Sequence, residues 1–155
     1  MPHQRRALRT AAGVLTAAGV GVGVGPITAA DGASAPAQAT TRRVSVATDG
    51  TQANTDVLDP AISGDGRYVA FVSRSPRLVA ADTNGATDVF VRDRLRHTTR
   101  RASVASDGRQ ARRFSLAPAI SADGRYIAFH SMAPNLVGRD TNQNYDVFVR
   151  DQRPR

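Results

Sequence analysis

The chain has 155 residues, with 21 Lys plus Arg against 13 Asp plus Glu and a formal net charge of +8 at neutral pH. It contains no cysteine, which excludes disulfides, thiolate metal sites and cysteine nucleophiles. Gly, Pro, Val and Thr are frequent, and long helix-forming runs are absent after residue 40. The composition therefore predicts an all-β chain.

The first 39 residues have the pattern of an export signal. Three arginines before residue 10 precede an apolar stretch at 11–24, and small residues up to Ala39 offer a cleavage site. Glycines dilute the apolar stretch, so we expect cleavage and no stable membrane span. The expected location is secreted or in the cell envelope, by the Sec or the twin-arginine route.

The remaining sequence, 40–155, repeats itself at an offset of 58 positions, as Asp65 and Asp123 illustrate. Repetition of this length is typical of arrays and propellers, in which one unit cannot bury its own faces and stacks on a copy of itself. The two predicted repeats are about 41–97 and 99–155.

Each repeat predicts four strands. An Asp-Gly turn joins a short first strand to a returning second strand, because Asp-Gly is a strong hairpin signal. The third strands, at 88–92 and 146–150, have apolar centres typical of strands covered on both faces. The fourth strands are expected at 98–105 and, for the other repeat, at 41–47. The prediction is two four-stranded antiparallel blades.

Two segments carry a family resemblance. PAISGDGRYVAFVS at 60–73 and PAISADGRYIAFHS at 118–131 resemble the Pro-x-x-Ser-x-Asp-Gly-x-x-x-x-Phe motif of PD40 repeats. These are the WD40-like β-propeller blades of TolB-type proteins and of prolyl-oligopeptidase-like peptidases. The trailing DTNGATDVFVRD and DTNQNYDVFVRD are similar to the second half of blades in secreted TolB-like proteins. The resemblance implies a propeller used for binding, and it carries over neither TolB's role in an outer-membrane complex nor peptidase activity.

The blade count departs from that family. Propellers close with about four to eight blades, and this sequence supplies two. Because it begins with a fourth strand and ends after a third, the N-terminal strand of one chain can complete the last blade of another chain, or of the same chain in a ring. Three alternatives stay open: a homo-oligomeric ring of several chains, a truncated fragment of a longer TolB-like propeller, and a monomeric two-blade domain.

Alternating Asp and Asn side chains offer oxygens to a hard cation such as Ca²⁺. Asx turns that shape the loop explain the same residues, so calcium is kept as an alternative and no other cofactor is expected. The candidate metal ligands are Asp140, Asn142, Asn144 and Asp146 in the second repeat and Asp82, Asn84 and Asp88 in the first.

We expect no enzyme. The sequence has no nucleophile elbow, zincin run, Walker loop or dinucleotide fingerprint, and only His97 and His130 follow the signal. A hydrolytic pair of aspartates is the alternative, since repeats bring carboxylates near each other.

The expected function is that of an exported, non-catalytic β-propeller binding or scaffold module. The candidate ligand contacts are Tyr145, the aromatic of the long loop, and the turn arginines Arg94 and Arg96. The positive charge favours anionic surfaces, so the expected partner is a protein, a peptide or an anionic cell-envelope polymer. Nucleic acid is not expected, because the arginine-rich segments lack interleaved aromatics.

Overall fold

The computed structural model describes residues 38–153, and the predicted export signal falls almost entirely outside this range. Within the range, no helix forms, and none is therefore long and apolar enough to cross a membrane. The all-β prediction is confirmed. The strands are β1 (Val57–Ile62), β2 (Tyr68–Ser73), β3 (Asp88–Asp93), β4 (Thr98–Arg101), β5 (Ser115–Ile120), β6 (Tyr126–Ser131) and β7 (Asp146–Asp151).

The strands form two antiparallel sheets. Sheet 1 has the order β1-β2-β3-β4, and sheet 2 has the order β5-β6-β7. The prediction of two four-stranded blades is thus correct for sheet 1 and wrong for the described part of sheet 2, which has three strands. The fourth strand expected at 41–47 is also corrected, because Val46 there makes only an isolated bridge to Gln52.

The Asp-Gly turns close both first hairpins as predicted. In sheet 1, Oδ1 of Asp65 accepts hydrogen bonds from Ser63 Oγ at 2.6 Å and from the Arg67 N–H at 2.9 Å. Gly66 follows with a φ of +68°, a conformation that glycine adopts at little cost. The second repeat reproduces this turn around Asp123, which accepts from Ser121 Oγ at 2.6 Å. These aspartates therefore have a structural role.

A bulge interrupts β1 and β5 at equivalent points. The register shifts between Leu58 and Ala61, and Asp59 has a φ of +51° just before Pro60. Ala117 has the same role in β5, with a φ of +48°. Because proline lacks an N–H and a bulge twists the strand, β1 is a poor template for pairing with another strand.

The main hydrophobic core lies between the two sheets. From sheet 1, alternate residues of β2 and β3 point into it, and Val89 and Val91 are only 0% and 3% exposed. From sheet 2, Ile127 and Phe129 pack against them. Alternation along each strand places these side chains on one face. The two sheets are therefore stacked face to face within one unit, Thr40–Arg155.

The opposite face of sheet 1 carries a second, smaller core. Phe71 and Phe90 stack there with ring centroids 6.0 Å apart, and both are buried. Val44, from the segment before β1, packs against this cluster. Sheet 1 is consequently covered on both faces, as its apolar third strand predicts.

Each sheet is preceded by a connector of the same shape, connector 1 at 44–53 and connector 2 at 102–111. Val46 bridges Gln52 in the first and Val104 bridges Gln110 in the second. An arginine of the third strand holds each connector in place. Arg92 Nη1 donates to the Ala47 carbonyl at 3.0 Å in sheet 1, and Arg150 Nη1 donates to the Ala105 carbonyl at 3.3 Å in sheet 2.

Candidate binding surface

Sheet 2 leaves one apolar face in solvent. We call the face that carries Ala128, His130, Val147 and Val149 the open face, and it points away from sheet 1. Val147 is 78% exposed and Val149 is 66% exposed. Their equivalents in sheet 1, Val89 and Val91, are buried against sheet 2. The prediction that the third strand is covered on both faces is therefore right for β3 and wrong for β7.

Two tyrosines border the open face. Tyr145, a predicted ligand contact, is 50% exposed and meets His130 edge to face with ring centroids 5.0 Å apart. Tyr126 is 39% exposed, and the Arg125 guanidinium lies over its ring. The distance from Arg125 Cζ to the centre of the ring is 4.6 Å. Amphipathic aromatics beside exposed valines are typical of protein contact surfaces.

β7 is an edge strand with an uninterrupted pairing register. All six of its residues pair in register with β6 on one side. On the other side, where β3 of sheet 1 pairs with β4, no strand of the described range lies against β7. Unlike β1, this edge has no bulge and no proline, so its backbone groups can pair with a further strand.

The two predicted arginine contacts lie elsewhere. Arg94 and Arg96 follow β3, in the turn to β4. Arg94 Nη1 donates to the Gly66 carbonyl, and the backbone N–H of Arg96 donates to Asp93 Oδ1 at 3.0 Å. Tyr145 instead precedes β7, at the opposite end of the strands. The structure therefore does not bring Tyr145 together with these arginines.

The turn around Asp93 is held by a charged pair. Arg67 Nη2 lies 2.7 Å from Asp93 Oδ2, and Arg67 Nε donates to the same carboxylate. The backbone N–H groups of Leu95 and Arg96 donate to it as well. The bonds from Arg67, followed by these N–H groups, lower the pKa of Asp93 to about 2.

The candidate metal ligands of the second repeat form turns. Asn142 Oδ1 accepts the Asn144 N–H at 2.9 Å, and Asn142 Nδ2 donates to both oxygens of Asp146 at 3.0 and 3.1 Å. This is the Asx-turn geometry that the sequence offered as the other explanation. A groove of about 430 Å³ lies beside Asp140, Asp146 and Phe148. No calcium-loop geometry is assembled by these hydrogen bonds, and calcium stays a prediction.

The equivalent residues of the first repeat form a polar cluster in which Asp88 is buried and Asp82 and Asn84 are half-buried. Ser103 Oγ donates to Asp88 Oδ1 at 2.6 Å, and Asn84 Nδ2 donates to Asp88 Oδ2 at 2.9 Å. Arg101 makes ion-pair contacts with Asp82 at 3.0 Å and with Asp88 at 3.4 Å, outside hydrogen-bond geometry. Burial raises the pKa of Asp88, while Ser103, Arg101 and Asn84 oppose that rise.

Sequence reasoning missed the importance of Arg101, which belongs to the outer strand β4 and contacts both Asp82 and Asp88. It also missed Val147, Val149 and Tyr126 as surface residues. The sequence gives no sign of this exposure, because the first repeat has the same residue types at the equivalent positions. These are Val89 and Val91 in β3 and Tyr68 in β2. Only the stacking of the sheets separates the two sets.

No protein-family model matches the chain, and no curated protein matches it. Among solved structures the chain is similar to TolB from Acinetobacter baumannii, with 19% sequence identity and a TM-score of 0.37. The match covers 63% of this chain and 19% of that chain. The matched region is thus about a fifth of that TolB's length.

Proposed function

We propose that the chain is an exported, non-catalytic β-propeller-like module that binds a protein through the open face of sheet 2. The observation that carries this proposal is the exposure of Val147 and Val149, at 78% and 66%, on a sheet whose other face is packed. Contiguous apolar surface rimmed by polar groups is typical of interaction sites.

The neighbouring edge of β7 adds main-chain donors and acceptors to that apolar surface. A partner that contributes a strand satisfies this edge and places side chains against the open face, which is the β-augmentation mode of recognition. This combination favours a protein or peptide partner. The two predicted arginine contacts, Arg94 and Arg96, lie at the other end of the strands from Tyr145 and do not contribute to the open face.

Site-specific photo-crosslinking tests the proposal. A photo-reactive p-benzoylphenylalanine replaces Val147 on the open face, or Leu95, which is 71% exposed in the β3–β4 turn, as the matched control. After irradiation of cells that make the chain, we expect a discrete protein adduct from position 147 and none from position 95. Equal labelling from both positions, or no adduct from 147, overturns the proposal.

A further inference from the structure

We propose that the protein bound at the open face is a second copy of this chain, whose residues 40–43 add to β7 as the missing fourth strand. This inference rests on the proposed function and names its partner. The two copies meet head to tail, the start of one against the end of the other.

The sequence of β4 occurs a second time in the chain. Thr98–Arg101 reads TTRR, and residues 40–43 also read TTRR. The likeness continues into the connectors, with VSVATDGTQA at 44–53 and ASVASDGRQA at 102–111. The first copy of TTRR is exposed and forms no strand, whereas the second completes sheet 1.

Each connector packs on the sheet that follows it, and each TTRR belongs to the sheet before it. Arg150 of β7 donates to the Ala105 carbonyl and so holds connector 2 on sheet 2, while the TTRR that precedes it pairs with β3 of sheet 1. Connector 1 packs with sheet 1 in the same way. The TTRR at 40–43 therefore has the sequence and position of an outer strand for a sheet that precedes sheet 1.

That preceding sheet cannot be the chain's own sheet 2. Arg43 is followed directly by Val44, and consecutive Cα atoms are only about 3.8 Å apart. Val44 packs on the face of sheet 1 that is turned away from sheet 2. A strand at 40–43 that is paired with β7 must consequently come from another copy.

The register of the proposed pair, β7 with residues 40–43 of the second copy, follows from the register of β3 with β4. In sheet 1, Arg100 lies opposite Val91 and Arg101 lies opposite Phe90. The same offset places Arg42 opposite Val149 and Arg43 opposite Phe148. Antiparallel pairing at this register satisfies the outer backbone groups of β7.

This register also reproduces a side-chain hydrogen bond of sheet 1. Arg92 Nη1 donates to Thr99 Oγ1 at 3.1 Å, across the β3–β4 pair. Arg150 is the equivalent of Arg92 and Thr41 of the second copy is the equivalent of Thr99, so the register brings the same two groups together.

Charge complementarity supports the same placement. Arg101 contacts Asp82 and Asp88 in the first repeat. Arg43 of the second copy is its equivalent, and it enters beside Asp140 and Asp146. The groove of about 430 Å³ next to these two aspartates leaves space for an arginine side chain.

The contact between sheets 1 and 2 within one chain can be repeated between sheet 2 of one copy and sheet 1 of the next. Between the two sheets of one chain, the Gly64 N–H donates to the Ala122 carbonyl at 2.9 Å, and the Tyr68 ring lies so close to Gly124 that a Cβ there would be 2.1 Å from Tyr68 Cδ2. The equivalent contact between copies places Tyr126 on Gly66.

A Cβ built on Gly66 meets only Arg94 Nη1 at 3.5 Å and Ile62 Cδ1 at 4.0 Å. A ring from another copy can therefore occupy this place. Ile62, which is 59% exposed on β1, is the equivalent of Ile120, which packs into the core between the sheets. Ile62 of the second copy accordingly covers the exposed valines of the open face.

Disulfide trapping tests the register directly, because the chain has no cysteine of its own. Chains carrying Arg42→Cys are mixed with differently tagged chains carrying Val149→Cys under mild oxidation. We expect a disulfide-linked heterodimer, since opposed residues of antiparallel strands lie within disulfide distance. The double variant Arg100→Cys with Val91→Cys carries the same pair within one chain and calibrates the yield.

A second mixture, Leu95→Cys with Val149→Cys, controls for random collision. A heterodimer at the yield of the intrachain pair, and absent from the Leu95 mixture, supports the proposal. Equal yields in both mixtures, or none from Arg42→Cys with Val149→Cys while the intrachain disulfide forms, overturn it.

Light scattering of the intact chain provides a second measurement. We expect a mass of several chains, and we expect Gly66→Ala to lower it toward one chain because the added methyl group obstructs Tyr126 of the other copy. Gly108→Ala, at a glycine with no atom within 4 Å of the added Cβ, is the control that keeps the mass. A single-chain mass for the unaltered protein overturns the second-copy proposal. An adduct of Val147 to a different protein also overturns it, but leaves the proposed function standing.

Discussion

Asp93 and Asp88 stand at the two ends of β3 and are both almost fully buried, yet their acidities shift in opposite directions. Asp93 receives direct hydrogen bonds from Arg67 and from two backbone N–H groups, which favour the charged form. Asp88 receives its bonds from Ser103 and Asn84, and desolvation outweighs them. For Asp93 the hydrogen bonds from Arg67 outweigh desolvation, whereas for Asp88 desolvation outweighs the hydrogen bonds and the contact with Arg101.

The low pKa of Asp93 predicts an acid-sensitive contribution to stability. Its value of about 2 in the folded chain lies below the unfolded value of about 3.9, so the folded state binds this proton less readily. The contribution, about 2 kcal/mol, is fully present above about pH 4 and is lost as the pH falls toward about 2. We expect Asp93→Asn to remove it, as measured by urea unfolding at pH 7 and pH 3.

The matched control is Asp107→Asn. Asp107 pairs with Arg109 at 2.8 Å, but both side chains are more than half exposed, so the pair contributes little. A similar loss in both variants would contradict the assignment of the acid sensitivity to Asp93.

Gly124 has two reasons to be glycine. Its φ is +69°, and a Cβ there would lie 2.1 Å from Tyr68 Cδ2. We expect Gly124→Ala to lower the free energy of unfolding by about 3 kcal/mol, from backbone strain of about 1–2 kcal/mol plus displacement of the ring. Gly108→Ala, with a φ of +87° and no atom within 4 Å, carries only the strain. Equal losses in urea unfolding would show that the Tyr68 contact contributes nothing.

At the scale of elements, the interface between the two sheets is expected to dominate stability. Ile127 is fully buried between them, so Ile127→Ala removes apolar contacts and leaves a cavity. We expect a loss of about 2–4 kcal/mol by thermal or urea unfolding. Leu95→Ala, at a site 71% exposed, should change stability by less than about 0.5 kcal/mol. Comparable losses would mean that the sheets are not packed as described.

The hydrogen bonds in the loops before β3 and β7 predict that calcium does not stabilise the chain. The side-chain oxygens of Asn84 and Asn142 already accept backbone N–H groups, and their amides donate to Asp88 and Asp146. We expect millimolar Ca²⁺ to leave the melting temperature unchanged. A rise that EDTA reverses would instead support these loops as metal ligands, because a ligand that binds only the folded state stabilises it.

The sequence predicted four strands closely, β2, β3, β6 and β7, because Asp-Gly turns and apolar third strands are local signals. The first strands, expected to begin at Pro60 and Pro118, begin three residues earlier, at Val57 and Ser115. It extended the fourth strand to residue 105, whereas β4 ends at Arg101. The regular register is lost there because the Ala102 and Ser103 N–H groups share the Val89 carbonyl, and Ala102 packs into the core between the sheets, a contact that depends on sheet 2. The exposure of Val147 has a similar origin, since a strand pattern cannot report which face lacks a neighbouring sheet.

At the scale of the whole molecule, self-association predicts that thermal stability depends on protein concentration. Assembly of folded chains stabilises the folded state by mass action. We expect the melting temperature to rise between micromolar and hundred-micromolar chain, and Val149→Asp to abolish the rise by placing a charge on the open face. Leu95→Asp is the control for added charge. A melting temperature that is constant with concentration would contradict assembly.

The offset between sheets and sequence repeats bears on how such a chain can change length. A stretch of 58 residues that begins at TTRR encodes the outer strand of one sheet, the connector and three strands of the next. Duplicating that stretch adds one sheet and leaves the same two end surfaces. Chains with different numbers of copies would therefore keep compatible ends, so that length can vary by whole modules without redesign of either terminus.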